Sequence, residues 1–188
     1  MSIFDINNKR IFVAGHQGMV GTAIVEKLKK EDCEILTIPK SEVDLMNQHE
    51  VNQWMKKNSP DAVIICAAKV GGILANNSFP AEFIYNNIMI AANLIHASHL
   101  TNVEKLVFLG SSCIYPKGIS RPITEKDLLT SELESTNQWY AIAKISGIIQ
   151  ERSIDVMITR LRQKLEINPK NPKYLQTIRG SGYVLWIE

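Results

Sequence analysis

Three glycines at a fixed spacing, Gly15-x-x-Gly18-x-x-Gly21, stand between a short apolar run and a helical pattern. No other feature of the chain constrains its fold as much. The run before them, Lys9–Ala14 (KRIFVA), is β-branched and aromatic, as a buried strand requires. After them, Val20, Ile24, Val25 and Leu28 recur at helical spacing from Met19 to Lys30. A strand that turns through bare glycines into a helix leaves backbone N–H groups free at the helix start, where an anion is favoured.

The same rhythm continues. A second strand fits Cys33–Ile38, a helix Val51–Lys57 and a third strand Ala62–Ala67. A helix rich in Asn and Ile fits Ala81–Leu100, and a fourth strand fits Lys105–Leu109. Strands alternating with helices predict an α/β fold, a parallel sheet with helices on both faces. Residues 117–136 read as loop. From Asn137 the pattern is helical and meets no strong stop before Asn168, so one long helix is expected there. Two alternating segments, Tyr174–Ile178 and Tyr183–Ile187, flank Arg-Gly-Ser-Gly and predict a β-hairpin.

Composition excludes several classes. Of the 188 residues 45% are hydrophobic and 21% charged, which suits a globular chain with a real core. The longest apolar run, Ala62–Ala68, is too short to cross a bilayer, and the first residues lack the apolar stretch of a signal peptide. Three widely spaced cysteines suit reduced thiols and a cytoplasmic location. Charge shifts along the chain: residues 1–150 hold 14 Lys+Arg against 15 Asp+Glu, and residues 151–188 hold 7 against 4. The expected division is therefore 1–150, a partial dinucleotide-binding domain, and 151–188, a small basic appendage.

Particular side chains carry the chemistry. Near the end of the second strand, where an acidic residue would select NAD, stands Lys40. Its charge suits a ribose 2′-phosphate and so NADP, although a solvated surface lysine with Glu42 nearby is an equal reading. Tyr140 and Lys144 lie four apart and share a helix face. An ammonium beside a phenol lowers the phenol pKa, which would make Tyr140 a proton donor and acceptor. Ser111 follows the fourth strand, at the sheet edge where such folds bind ligands, and its hydroxyl can hold a substrate oxygen. His16, His49, His96 and His99 read as turn or helix-surface residues, and no metal site is expected.

These residues lie within longer strings: AGHQGMVG (14–21), AAKVGGILANN (67–77), PAEFIYNN (80–87), FLGSSCIYPK (108–117) and YAIAKISGI (140–148). Residues 10–149 resemble the extended short-chain dehydrogenase/reductase family, and within it the NADP-dependent epimerase/reductases that form GDP-L-fucose. The resemblance implies a Rossmann-like fold and GDP-4-keto-6-deoxy-mannose as substrate. It implies that the cofactor touches Gly15, His16, Gln17, Gly18, Met19, Val20 and Gly21 of the turn. It also implies contacts with Leu109, Gly110, Ser111 and Ser112, and with Lys144 at the nicotinamide ribose. Tyr140 would protonate the sugar oxygen, Ser111 would assist, and Cys113 would be an acid/base in epimerisation. Judged on the residues alone, Cys113 is a small core side chain. A homodimer stays open. The match stops after the Tyr140 helix, so a truncated enzyme that retains at most cofactor binding is expected.

Residues 151–188 resemble a different family, the OmpR-type winged-helix regulators. The carriers are RSIDVMITRLRQKLE (152–166) and YLQTIRGSGYV (174–184). The apolar stripe Ile154, Ile158, Leu161 and Leu165 would pack on other helices. The resemblance places Val156 and Arg160 on bases, Arg152, Thr159 and Arg162 on phosphates, and Thr177 and Arg179 of the wing on backbone and minor groove. Weak, salt-sensitive DNA binding is favoured over specific readout, since a helix with three arginines is also an ordinary solvated face. Three readings therefore stand: a cofactor-binding enzyme fragment, a DNA-binding regulator, and a fusion without function.

Overall fold

A computed structural model describes residues 4–148, 168, 175–178 and 182–185. It divides into two units, residues 1–147 and 148–188. In the first, β1 (Lys9–Ala14), β2 (Cys33–Leu36), β3 (Ala62–Ile65) and β4 (Lys105–Phe108) form a fully parallel sheet in the order β2-β1-β3-β4. The connecting helices are α1 (Met19–Leu28), α2 (Gln48–Asn58), α3 (Ile73–Ser78), α4 (Pro80–Leu100) and α5 (Gln138–Ile148). The expected Rossmann-like α/β fold is present. The expected strands and helices recur with ends shifted by a few residues, and α3 is an addition in a stretch for which the sequence suggested no element.

Alternation along the strands builds two cores. Phe12, Ala14, Val63 and Ile65 face one side, against Val51 and Met55 of α2 and Leu94 and Ala97 of α4. Ile11, Val13 and Ala62 face the other, against Leu28, Ile24 and Val25 of α1. Residues of period two on a strand must alternate in this way, so β3 and the Ile11–Ala14 part of β1 are apolar because both their faces are covered. Phe12, Met55 and Leu94 are fully buried, and each such side chain contributes about 1.5–3 kcal/mol. β4 differs. Leu106 and Phe108 pack toward the first core, while Lys105 and Val107 are exposed.

Local signals set the helix ends. The Asn47 side chain accepts from the N–H groups of His49 and Glu50 at the start of α2, which ends at Ser59 in the left-handed region. Pro80 opens α4, where its missing N–H costs nothing. At the amino-terminal rim of the sheet, Lys9 Nζ lies 2.7 Å from Glu104 and 3.8 Å from Asp61, and Arg10 Nε lies 3.0 Å from Glu34. The Arg10 amide donates to Asp61 (2.7 Å) and its guanidinium to the Asn58 carbonyl, so charges from all four strands or their flanks meet there.

In the second unit, β5 (Leu175–Ile178) and β6 (Gly182–Leu185) pair antiparallel, from Leu175 opposite Leu185 to Ile178 opposite Gly182. The expected hairpin is therefore there over the described residues. The long helix expected to continue past Ile148 lies outside the described residues. So do Arg152, Val156, Thr159, Arg160, Arg162 and Arg179. Thr177 lies on β5, paired with Tyr183.

Candidate active site

The chain leaves β1 for β2 on one side and returns to β3 on the other. The carboxyl ends of β1 and β3 therefore flank the point where the strand order reverses, where open α/β sheets form their ligand crevice. A cavity of about 660 Å³ occupies this place. Its floor is the turn Gly15–Gly21. One wall is Ile38, Lys40 and Val43–Met46, and the other is Cys66–Val70, with Asn86 and Ile90 of α4 behind.

The three glycines have different physical reasons. Gly15 has φ +85°, and a Cβ there would lie 2.6 Å from the Ala67 nitrogen. At Gly21 a Cβ would lie 2.1 Å from the Gly15 carbonyl oxygen. Both are demanded by the fold itself, one by a left-handed turn and one by helix–strand closeness. Gly18 has an ordinary φ of −76°, and a Cβ there would come no nearer than 3.4 Å to other atoms. The fold does not need a glycine at this position, and the residue is exposed toward the cavity. Gly18 is also the N-cap of α1, where no side chain caps the helix and the first turn carries no acidic residue. A bare, uncapped, exposed helix N-terminus fits a diphosphate pressed against backbone amides.

Of the expected cofactor residues, the cavity gathers Gly15, His16, Gln17, Gly18, Met19, Val20, Gly21 and Lys40. Met19 and Val20 are exposed although apolar, at 89% and 46%. Leu109, Gly110, Ser111, Ser112 and Lys144 do not line it; they stand farther along the sheet edge, beyond β4. Cys66 links the two groups, because it lines the cavity and lies within the electrostatic reach of Lys144.

The second group is held by α5. The buried Lys144 ammonium donates to the Leu109 carbonyl (2.9 Å) and lies 4.6 Å above the Phe108 ring. Gly147 lets α5 approach, since a Cβ there would stand 2.6 Å from Phe108. Ser111 Oγ and Cys113 Sγ are 3.0 Å apart, and Ser111 caps the short helical turn Ser112–Ile114. Lys144 lies 5.9 Å from the Tyr140 ring centre. The expected lowering of the Tyr140 pKa is absent: burial raises it, and Cys113 adds to the rise. Burial likewise lowers the Lys144 pKa, opposed by Cys113 and Cys66. A pKa raised from the ordinary phenol value leaves Tyr140 protonated at neutral pH.

The loop between these two ends closes on itself. The Lys117 amide donates to the Glu132 carbonyl (3.0 Å), and their side chains pair at 3.2 Å. Inside, the Arg121 guanidinium grips the buried Asp127 carboxylate, which also accepts from the Thr124 amide (2.8 Å) and hydroxyl (3.1 Å). These partners hold the Asp127 pKa well below its ordinary 3.8. The result is a compact Ω-loop between Cys113 and Tyr140.

The sequence reading missed both cavity walls beyond Lys40. The detectable signal was Asp44-Leu45-Met46 just after the second strand, and Cys66–Val70 just after the third, where a parallel sheet places its ligand loops.

Comparison with known proteins places this geometry. The profile of the NAD dependent epimerase/dehydratase family matches residues 11–158, and that of "Transcriptional regulatory protein, C terminal" matches residues 141–185. The chain is 55% identical over 148 residues to a GDP-L-fucose synthase of Sinorhizobium fredii (strain NBRC 101917 / NGR234). That alignment covers 79% of this chain and 47% of the relative. It is 49% identical over 144 residues to the GDP-L-fucose synthase of Escherichia coli (strain K12), covering 76% and 45%. Among solved structures, a GDP-D-glycero-L-gluco-heptose synthase from Campylobacter jejuni, in the presence of NADPH, superposes with a TM-score of 0.75 at 38% identity. It covers 82% of this chain and 46% of that one. A GDP-mannoheptose C4 reductase from the same organism, with NADP bound, gives a TM-score of 0.74 at 39% identity, covering 79% and 48%. The chain thus spans just under half the length of the relatives it matches. With the matched profile covering most of its length, the chain belongs to the NAD dependent epimerase/dehydratase family.

Proposed function

We propose that residues 9–148 are the cofactor-binding half of an NADP-dependent GDP-sugar epimerase/reductase, and that dinucleotide binding is the activity this chain carries. One observation carries the reading: Gly18 is bare where the fold does not require it, at an uncapped helix start facing a cavity at the strand-order reversal. The α1 amides and Gly15–Gly21 would hold the diphosphate. Lys40 on the rim would meet a 2′-phosphate, which supports NADP, as do the neighbours bound to NADP or NADPH. The cofactor would supply hydride. Tyr140, protonated at neutral pH, would give its proton to a substrate oxygen, and Ser111 with Cys113 would hold or exchange a proton beside it. The relatives' names support GDP-L-fucose as the product of a complete enzyme, for which the resemblance implies GDP-4-keto-6-deoxy-mannose as the sugar.

The test is thermal unfolding of the purified chain with NADPH or NADH. A ligand at a hundred times its Kd adds about 2.7 kcal/mol, a clear rise in Tm. A rise with NADPH exceeding that with NADH supports the reading, and no rise with either refutes it. Turnover of the keto sugar with NADPH at ordinary enzyme rates would refute the restriction to binding.

The second profile match and the paired hairpin support a second reading for residues 151–188, weak DNA contact through a winged-helix remnant. A mobility-shift series in rising salt tests it. No shift at the lowest salt discards it.

A further inference from the structure

We infer that Asn87 and Asn93, two buried asparagines of α4, are positioning residues that fix the two walls of the dinucleotide cavity, one wall each. The inference rests on the cofactor reading above and says which groups give that site its shape.

Both side chains are 3% exposed, inside a helix whose other buried residues are mostly apolar. Asparagine is a poor choice for a helix interior, and burying its amide is unfavourable unless every polar atom finds a partner. Here the partners are chiefly on the cavity loops. Asn93 Nδ2 donates to the Leu45 carbonyl at 3.0 Å. Asn87 accepts from the Lys69 amide at 2.8 Å and donates to the Lys69 carbonyl at 3.0 Å, with a further bond to Phe83 at 2.7 Å. Leu45 and Lys69 both line the cavity, on opposite walls. Just after this wall, the buried Asn76 donates to the carbonyls of Gly71 (2.8 Å) and Gly72 (3.1 Å).

The two ties act on different parts of the site. Leu45 shares its wall with Lys40, at the adenosine end. Lys69 shares its wall with Ala67, which packs against Gly15, and with Cys66, which lies in the field of Lys144. That wall bears on the diphosphate turn and leads toward the tyrosine group. Loss of the Asn93 tie should therefore be felt by the adenosine half of the cofactor, and loss of the Asn87 tie by the rest of it.

The experiment is calorimetric titration of the full chain with NADPH and with 2′,5′-ADP, the adenosine half alone. Asn93→Ala is expected to weaken both about tenfold, and Asn87→Ala to weaken NADPH about tenfold while changing 2′,5′-ADP less than twofold. Ile95→Val, a partly buried change on the same helix, is the control for a general loss of packing. Asn87→Ser and Asn93→Ser serve if an alanine variant does not fold, with the same pattern expected. An Asn93→Ala or Asn87→Ala chain that binds both probes as the wild type does, or an Asn87→Ala chain that loses both equally, overturns the assignment. A wild-type chain that binds neither probe overturns the cofactor reading and this assignment with it.

Discussion

The glycine turn and the tyrosine helix are both at the ligand edge of one sheet, yet they are built differently. The turn is made of backbone. Its shape follows from a left-handed Gly15, a close Gly15–Gly21 contact and loops pinned from α4, and its amides carry no titratable group. The tyrosine cluster is made of side chains whose charged forms are disfavoured by burial, with the pKa of Tyr140 raised and that of Lys144 lowered. Backbone geometry is complete once the strands and helices pack. A reactive pair depends on a surrounding field, and among the described residues burial and Cys113 raise the phenol pKa.

The sharpest way to break this contrast is within the turn. Gly21→Ala forces its Cβ against the Gly15 carbonyl, so it should cost about 1–3 kcal/mol of stability and abolish NADPH binding. Gly18→Ala should keep the wild-type Tm to within a few degrees while weakening NADPH tenfold or more, because only the ligand needs that space. Equal Tm losses in the two variants, read by thermal unfolding, would mean that Gly18 serves the fold. Next in size is Tyr140→Phe. If binding and proton transfer belong to separate parts, its NADPH affinity, read by titration, stays within twofold of wild type.

The smallest effect concerns the Ω-loop. Asp127 has a pKa lowered in the folded chain, so its contribution is present above the ordinary value near 3.8 and is lost as pH falls below it. Asp127→Asn should therefore be less stable than wild type at pH 7, with the gap narrowing in acid. A gap that stays constant from pH 7 to pH 3, followed by circular dichroism, would contradict the Arg121–Asp127 pairing.

The fold was legible in the sequence because its signals are local. KRIFVA, the glycine spacing and Pro80 each determine their own neighbourhood, and β1 and α4 began within a residue of where they were expected. The cavity floor was legible for the same reason. Its walls were not, since the Leu45 and Lys69 loops are held by asparagines 48 and 18 residues away, contacts that no spacing rule reveals. The asparagines were visible as a composition, an Asn-rich apolar helix, but not as ties. The Tyr140–Lys144 pair was correctly placed on one helix. Its electrostatics were not legible, because helical spacing says nothing of the Leu109 carbonyl that takes the ammonium.

The charged rim below the sheet has a consequence of its own. Lys9, Arg10, Glu34, Asp61 and Glu104 gather the strands at the end opposite the ligand edge. Anchoring and recognition are thus separated by the full height of the sheet. Substitutions in the anchor are free to drift or be engineered for durability, and the cavity at the other end of the strands will not register the change.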